Sequence, residues 1–343
     1  MARRPTIADL ARVAEVSVAT VDRVLNARYP VREETARRVY EAANSIGYHA
    51  ASLIKHRLQE SLPEYRLGFL LQRPEQAFYQ AFAKEAAVAV AAAQRFRGTA
   101  KIEFLKSQAP GDVADHLREM GSRARAVAMV AVDHPTITTA VAELKVKGVP
   151  VFSLLSDFAP GVREGYVGVN NRKAGRTAAW MIATAAAGPG KVAMFVGSHR
   201  FHGQEMREIG LRSYFREAAP GFEVLDAMVN LEEPALAREV TLQMIDRHAD
   251  LAGLYVAGGG MEGVIAALRE RNMASRLVAV CNELTVETRA ALADNVMTLV
   301  IATPLAAVCR ELVLLMARAI ESGGADLPGQ AFLPFDLYVA ENI

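Results

Sequence analysis

Four side chains near the N-terminus carry chemistry that could read the edges of DNA bases. Val18 and Ala19 offer short apolar groups that can reach a thymine methyl, and Arg23 offers a guanidinium that can fork onto guanine. Asp22, beside them, could accept a hydrogen bond from a cytosine amino group or orient a nearby arginine. This chemistry specifies a sequence only if a rigid element presents all four side chains together.

The stretch from Thr6 to Asn26 is predicted to supply that element as two short helices joined by a tight turn. Thr6 and Ser17 are residues of the N-cap type, so each can begin a helix. Small apolar residues supply the inner faces: Leu10, Ala11, Ala14 and Val16 in the first helix, and Val21, Val24 and Leu25 in the second. The four candidate side chains then lie on the outward face of the second helix, which is suited to the major groove. A third helix is predicted from about Glu33 to Ser45.

Length and charge suggest that this segment is one part of a larger globular protein. The chain has 343 residues and is 52% apolar, which is enough for two or three domains. Its net charge of +1 argues against a uniformly basic nucleic-acid binder. Residues 1–61 nevertheless hold ten basic against seven acidic residues, so this segment is +3 and the remainder −2. Phosphate should therefore attract the N-terminal segment more than the rest.

From Arg66 onward, short apolar runs alternate with longer amphipathic runs, a pattern typical of parallel α/β structure. Strands are expected at 67–71, 101–105, 127–132, 149–155, 166–169, 191–196, 224–229, 251–256, 277–281, 297–301 and 337–340. About eleven strands are too many for one comfortable sheet of this kind. The sequence therefore predicts an all-α helix-turn-helix head followed by an α/β body of two lobes, each built on a doubly wound parallel sheet.

Particular words of the sequence resemble known families. VSVATVDRVLN, with Thr6 before it and the helix between Val31 and Tyr48 after it, closely resembles the DNA-binding head of the lactose-repressor (LacI/GalR) family. The body resembles the two-lobed module of periplasmic ribose-binding proteins through QAFYQAF, GYVGVNNRKAGRTAA, MREIGLRSYF, LYVAGGGMEG and VCNELTVETRAAL. Together the two resemblances cover essentially the whole chain. They imply a head at residues 1–48, a hinge or linker at 49–63, and an effector-binding and dimerisation domain at 64–343, whose lobes the chain joins by three crossings.

The resemblance also implies roles in DNA binding. It assigns base contacts to Val18, Ala19 and Arg23, and phosphate contacts to Thr6, Thr20, Asn26 and Thr35. The candidate DNA-binding set is Thr6, Ser17, Val18, Ala19, Thr20, Asp22, Arg23, Asn26, Thr35 and Leu58.

The hinge segment follows the family pattern less closely. In the family a hinge helix folds on the operator and pushes a leucine into the minor groove. Here His49, Ala50 and Ala51 stand where Pro-Asn usually follows the tyrosine. Either Leu53 or Leu58 could be the wedge, and an ordinary linker without DNA contact is the alternative.

Polar strand ends predict a ligand cleft in the body, because parallel sheets bind ligands at the carboxyl ends of their strands. Gln76, Phe78 and Tyr79 follow the first strand, where the sugar-binding family stacks aromatic rings, although either ring could instead pack within its lobe. Polar residues also end the fourth and fifth strands. The candidate effector-binding set is Gln76, Phe78, Tyr79, Ser156, Asp157, Asn170, Arg207, Gly258, Asn282 and Glu283.

The body departs from the sugar-binding pattern at several aligned positions. Ile209 stands where the family has a sugar-binding arginine, Gly258 replaces an asparagine, and Asn282 replaces an aspartate with Glu283 beside it. Arg207 could face the cleft, but a surface pair with Glu205 or Glu208 is the preferred interpretation. We therefore expect the cleft to favour a small hydroxylated or cationic solute over an anionic one.

Other chemistries find little support in the sequence. Gly258–Gly260 is weak evidence for a phosphate cradle, and His199, His202 and Glu205 have no fixed geometry for a metal. No catalytic motif is present, so neither enzyme activity nor a cofactor is expected. Cys281 and Cys309 are expected to be reduced, buried thiols.

These observations predict a ligand-responsive transcriptional regulator of the repressor type. It would bind an inverted-repeat operator as a homodimer, with a small polar or sugar-like effector closing the cleft and so changing the spacing of the heads. No signal-peptide run or membrane span is seen, so a cytoplasmic location is expected. No heptad tail follows the last strand, so a dimer is the expected limit. The alternatives are an enzyme on a doubly wound fold and a solute sensor that does not touch DNA.

Overall fold

The computed structural model describes residues 4–26, 31–60, 62–324 and 329–343. The chain divides into two compact units, Met1–Tyr65 with Ala91–Thr99, and Arg66–Val90 with Ala100–Ile343. Among the described helices, none is both long enough and apolar enough to cross a membrane.

Four helices form the first unit's core. They are α1 (Ile7–Val13), α2 (Val18–Asn26), α3 (Glu33–Ser45) and α4 (Ala51–Glu60). The predicted inner faces of the first two helices are buried together with Val39, Ala43 and Tyr48, except that Val16 lies in the turn after α1 and is half-buried. Ile54 of α4 is fully buried in the same cluster. The segment expected to be a hinge or linker therefore contains a helix that packs on the head.

The first lobe of the body is a six-stranded sheet with helices on both faces. Its strands are β1 (Glu64–Gln72), β2 (Arg97–Leu105), β3 (Ala126–Met129), β4 (Val151–Leu154), β5 (Gly165–Val169) and β12 (Gly329–Leu333), and its helices are α5 (Ala77–Ala91), α6 (Pro110–Arg123), α7 (Pro135–Val146) and α13 (Leu305–Ser322). The strand order is β12-β5-β4-β3-β1-β2. The strands β1, β3, β4, β5 and β12 pair in parallel.

The second lobe has seven strands. They are β6 (Lys191–Val196), β7 (Glu223–Val224), β8 (Met228–Val229), β9 (Leu251–Val256), β10 (Val278–Asn282), β11 (Leu299–Ala302) and β13 (Asp336–Tyr338), packed with α8 (Asn171–Ala185), α9 (His202–Ala218), α10 (Pro234–Arg247), α11 (Met261–Glu270) and α12 (Val286–Ala293). The order is β13-β11-β10-β9-β6-β7, with β8 also on β6. Only β13 pairs antiparallel among these described strands.

The topology confirms the predicted fold class, and the three crossings between lobes are present. The chain passes to the second lobe after β5, returns with α13 and β12, and crosses again to β13. The single strand expected at 224–229 is wrong. Instead β7 and β8 pair with β6 around one extra residue, because Met228 comes four positions after Val224 while its partner Phe195 comes three positions after Val192. The sequence also missed β12, a short strand of five residues, none of them buried.

Candidate functional site

The start of α1 is fixed by a reciprocal pair between Thr6 and Asp9. Thr6 Oγ1 accepts from the Asp9 N–H at 3.2 Å, and the Asp9 carboxylate accepts from the Thr6 N–H at 2.9 Å. Ser17 caps α2 because its Oγ accepts from the Thr20 N–H at 3.1 Å and lies 2.8 Å from Thr20 Oγ1. These bonds satisfy free N–H groups at the helix starts, so the two helices of the motif begin where the sequence predicts.

The outward face of α2 holds the candidate base-reading residues. Val21, Val24 and Leu25 are buried, whereas Val18 is 51% exposed and Ala19 and Arg23 are also exposed. An isolated valine is not remarkable on a surface, but here it stands in the first turn of a helix whose opposite face fixes its orientation. The structure thus brings the three proposed base-contacting residues together on one accessible surface.

Asp22 has a partner that the sequence interpretation did not foresee. Its Oδ1 accepts a 2.6 Å hydrogen bond from Asn26 Nδ2, one turn later on the same helix. The bond ties a candidate base contact to a candidate phosphate contact. The expected roles of Asp22, accepting from cytosine or orienting an arginine, stay predictions beside this bond.

The remaining candidates of the head lie outside α2. Thr6 is exposed at the start of α1, and Thr35 is half-buried in the first turn of α3. The side chain of Leu58 lies outside the described residues. Leu53, the other candidate wedge, is 44% exposed on α4.

A cavity that is partly open to solvent lies between the two lobes at the carboxyl ends of their strands. Its lining residues are Gln76, Phe78, Tyr79, Val130, Leu155, Ser156, Phe201, Gly203, Gln204, Arg207, Glu232, Gly258, Gly259, Met261, Asn282 and Glu283. The mixture of apolar and polar groups is typical of a binding pocket.

Arg207 is a buried member of this pocket, so the expected surface pair with Glu205 or Glu208 is wrong. Its Nε donates to Asn171 Oδ1 at 2.8 Å and its Nη1 donates to the Ala257 carbonyl at 2.6 Å. The phase of α9 is the reason, because Arg207 lies on its buried face while Glu205 is exposed and Glu208 is half-buried and pairs with Arg212.

The same helix phase corrects the alignment with the sugar-binding pattern. Ile209, where the family arginine was expected, is 39% exposed and does not line the cavity. Arg207 supplies a guanidinium to the pocket from two positions earlier. The inferred loss of an arginine from the cleft is therefore wrong.

Glu283 places a carboxylate in the pocket. Its Oε1 and Oε2 accept from Thr303 Oγ1 at 2.8 Å and from the Thr303 N–H at 2.9 Å. Arg207 Nη2 lies 3.9 Å from Oε1. Burial raises the pKa of Glu283, and the nearby Arg207 and the two Thr303 bonds only partly oppose this shift.

Glu232 is a second pocket carboxylate, which sequence reasoning missed. Its Oε1 accepts from Gln204 Nε2 at 2.8 Å and from the Gly259 N–H at 3.3 Å. Asn230 fixes the loop, because its Oδ1 accepts from the Glu232 N–H and its Nδ2 donates to the Gly259 carbonyl, both at 2.9 Å. A signal was present: Asn230 and Glu232 follow β8 as polar residues, like the strand ends that were considered elsewhere.

The aromatic pair after β1 contributes in two ways. The rings of Phe78 and Tyr79 meet edge to face with centroids 5.2 Å apart, and both line the cavity. Tyr79 is buried, and burial, followed by the charges of Glu232 and Glu283, raises its pKa. Its hydroxyl therefore stays protonated and lies in the field of both carboxylates.

Two candidate effector residues lie outside the lining. Asp157 accepts from both Arg163 and Ser153, and Gln330 Nε2 donates to it at 3.0 Å. Burial opposes ionisation, but the bonds from Arg163 and Ser153 outweigh it and lower the pKa of Asp157. Asn170 caps α8 by accepting from the Lys173 N–H at 3.0 Å. Both serve the fold instead of the pocket.

The other candidates do line the cavity. Ser156 Oγ accepts from the Gly203 N–H at 3.0 Å. A Cβ at Gly258 would lie 2.7 Å from Gln204 Nε2, so this glycine permits close packing. Asn282 donates to the Ile301 carbonyl at 3.3 Å and accepts from the Tyr255 hydroxyl.

Comparisons with known proteins match both parts of the chain. Residues 67–325 match the model described as "Periplasmic binding protein domain". Residues 6–50 match the model described as "Bacterial regulatory proteins, lacI family". A similar relative is the HTH-type transcriptional regulator GalS of Salmonella typhimurium, 23% identical over 275 residues, 78% of this chain and 76% of that protein. An uncharacterized HTH-type transcriptional regulator in the aml 5' region of Streptomyces limosus is 27% identical over 205 residues, 57% of this chain and 54% of that protein.

Solved structures share the fold of the body. GanP, a glucose-galactose binding protein from Geobacillus stearothermophilus, has a TM-score of 0.73 at 16% identity, covering 82% of this chain and 99% of that chain. An ABC transporter solute-binding protein from Burkholderia graminis, in complex with D-arabinose, has a TM-score of 0.74 at 17% identity, covering 82% and 97%. At these identities the likeness shows the fold alone.

Proposed function

Because this chain belongs to the periplasmic binding protein domain family and, through its head, to the lacI family of bacterial regulatory proteins, we propose that it represses transcription as a homodimer on an inverted-repeat operator. Its DNA-binding activity responds to a ligand in the body. The observation that carries the proposal is the arrangement of α2, which buries Val21, Val24 and Leu25 and exposes Val18, Ala19 and Arg23. The protein acts in the cytoplasm, where its operator is accessible.

The proposed contacts follow from the chemistry of each side chain. Val18 and Ala19 read thymine methyl groups, and Arg23 reads guanine. Thr6, Thr20, Asn26 and Thr35 contact phosphates and fix the register of the helix on the duplex, and Ser17 and Asp22 hold the helix in shape. Leu53 or Leu58 remains the candidate for a minor-groove wedge.

The proposed effector is a small, sugar-like polar solute in the interlobe cavity. Structural neighbours are described as binding glucose, galactose or D-arabinose, which supports this class of ligand. The proposed ligand contacts come from Gln76, Phe78, Tyr79, Ser156, Arg207, Glu232 and Glu283. We assign no reaction and no cofactor to the pocket.

Selection of operator sequences, followed by footprinting of the full chain, tests the proposal. We expect a protected palindrome whose half-sites lie on one face of the duplex, as a two-fold symmetric dimer requires. Binding should fall steeply with salt, since phosphate contacts release counterions. A chain that binds solutes but selects no DNA sequence would instead be a solute sensor, and the proposal would be wrong.

A matched pair of variants separates base reading from general attraction. Val18→Ser removes an apolar contact on the proposed groove face, and Val13→Ser removes an exposed valine, 42% accessible, from α1. The first should alter the selected operator sequence, whereas the second should leave it unchanged. If both variants changed the selected operator sequence equally, the exposed face of α2 would not be the surface that reads the bases.

A further inference from the structure

Some polar groups of the cavity are already used by the fold. Asn282 is bonded through both ends of its amide, to Tyr255 and Ile301. Gln204 accepts from the Gly197 N–H and donates to Glu232. These amides orient their neighbours and have little capacity left for a ligand.

Arg207 is also largely committed. Its Nε and Nη1 donate to Asn171 and to the Ala257 carbonyl. The Nη2 group points toward Glu283 at 3.9 Å. An anionic ligand would therefore meet only part of one guanidinium, already beside a carboxylate.

Hydrogen-bond acceptors remain. Within the described part of the chain, Glu232 Oε2 has one contact, the long 3.4 Å approach of Gln76 Nε2. Each oxygen of Glu283 receives a single hydrogen bond from Thr303, and a carboxylate oxygen can accept two. The cavity therefore offers a ligand more unused hydrogen-bond acceptors than donors.

The charged residues that line the cavity point to the same conclusion as its unused hydrogen-bond acceptors. Two carboxylates, Glu232 and Glu283, and one guanidinium, Arg207, line the cavity, and the guanidinium of Arg73 is held outside the lining by the Leu231 carbonyl. Each of the three charged lining residues is at most 9% exposed. Buried charge is costly unless it is paired, and burial favours the neutral form of Glu283, so a positive group bound here would stabilise both carboxylates in their charged forms.

The backbone holds both carboxylates in place at a cost. Glu232 and Glu283 have φ values of 58° and 71°, in the left-handed region that favours glycine, and Leu231 before Glu232 has 53°. A strained backbone conformation persists only where the surrounding contacts hold it, and such residues cluster at functional sites. It indicates that the positions of these carboxylates matter for binding.

Building on the proposed ligand-responsive function, we infer that the effector carries a protonated amine together with hydroxyl groups, as an amino sugar or amino polyol does. The ammonium group binds the acceptors of Glu232 and Glu283, and the hydroxyls bind Ser156, Gln76 and the free side of Arg207. Phe78 and Met261 cover the carbon skeleton. A neutral sugar could satisfy the acceptors but would leave the charge uncompensated.

The test uses matched probes on the full chain. D-glucosamine, D-galactosamine and D-mannosamine are compared by calorimetry with their N-acetylated forms, the parent hexoses and the corresponding uronic acids. At least one amine is expected to bind about tenfold tighter than its three counterparts, because hydrogen bonds between charged groups are the strong ones.

Variants connect the binding to the two carboxylates. Glu232→Gln and Glu283→Gln keep the side-chain shape and should each lower amine affinity about tenfold while narrowing the gap to the parent hexose. Glu287→Gln, at an exposed position on α12 of the same lobe, is the control and should have no effect. A cooperative thermal unfolding transition of each variant shows that its body is folded.

The outcomes are distinguishable from a failure of the proposed function. Equal or tighter binding of hexoses or uronic acids overturns the inference, as does an amine whose affinity both glutamine variants leave unchanged. Operator binding without affinity for any amine probe also overturns it while leaving the regulator proposal intact. Amine binding without any operator would support the inference and contradict the proposed regulator.

Discussion

The buried carboxylate of Glu283 lowers the stability of the folded protein because its desolvation is only partly compensated. This carboxylate is buried, and the two Thr303 bonds and Arg207 offset only part of the desolvation cost, so its pKa is raised. A glutamine has the same shape, and it can accept from the Thr303 N–H while its amide donates to the Thr303 hydroxyl. The cost therefore resides in the charge.

We predict that Glu283→Gln raises the melting temperature of the ligand-free protein at pH 7 by about 1–3 °C. Because the folded-state pKa lies above the ordinary 4.5, the contribution of Glu283 to stability is complete below that value and is lost as pH rises through the folded pKa. The gain from glutamine should therefore disappear in scans at about pH 4. Glu287→Gln should show no such dependence, and a gain that persists at low pH would mean that packing is responsible.

A second prediction for a single residue concerns Arg23 in the DNA-binding head. Arg23→Ala should weaken operator binding by roughly 1–3 kcal/mol while hardly changing binding to random DNA, because a forked contact to guanine is lost. Arg12→Ala, which removes an exposed arginine from α1, is the matched control. Binding titrations on operator DNA and on random DNA provide the measurement. If Arg23→Ala weakened binding to both DNAs equally, Arg23 would contact a phosphate and not a base.

At the scale of elements, the close packing of α8 against α9 decides which residues reach the pocket. A Cβ at Gly175 would collide with the Arg207 carbonyl, and one at Gly210 would collide with the Arg172 carbonyl. Glycine therefore lets the two helix backbones touch. This close contact fixes the rotation of α9 about its axis, and with it the inward direction of the Arg207 side chain.

Sequence patterns predicted the caps and strands well because both depend on local chemistry. Thr6 and Ser17 begin their helices as their side chains suggest, and the alternation of apolar runs gave the two-lobed fold. The orientation of Arg207 depends on helix-to-helix contact, and that of Glu232 depends on two consecutive left-handed residues. Neither is encoded in local residue types, so the sequence placed the arginine wrongly and missed the glutamate.

We predict that Gly175→Ala destabilises the body and lowers effector affinity. Alanine improves helix propensity by about 1 kcal/mol, but a clash with rigid backbone costs about 1–3 kcal/mol or more, so the clash should win. Gly188→Ala, where a Cβ would meet nothing within 4 Å, is the control. Calorimetric scans with and without ligand provide the measurement, and unchanged stability would show that α8 and α9 can separate cheaply.

At the scale of the body, the lobes are joined by three chain crossings and by few contacts across the cleft. Arg73, which follows β1 in the first lobe, donates from Nη2 to the Leu231 carbonyl of the second lobe at 2.8 Å. Gln76 approaches Glu232 from the same side. Both bonds join the two lobes beside the cavity, so they favour its closed arrangement.

The last prediction concerns Arg73→Ala, which removes the stronger of these two bonds. Ligand affinity should fall about three- to tenfold, because a hydrogen bond contributes about 0.5–1.5 kcal/mol and apparent affinity scales with the fraction of binding-competent molecules. Small-angle scattering should show a larger radius of gyration for the free variant and the wild-type value once ligand is saturating. Arg118→Ala, whose arginine pairs with Glu143 within the first lobe, should change neither quantity. If Arg73→Ala weakens binding but the free protein scatters like the wild type, Arg73 orients the Leu231–Glu232 loop and the lobes close by other means.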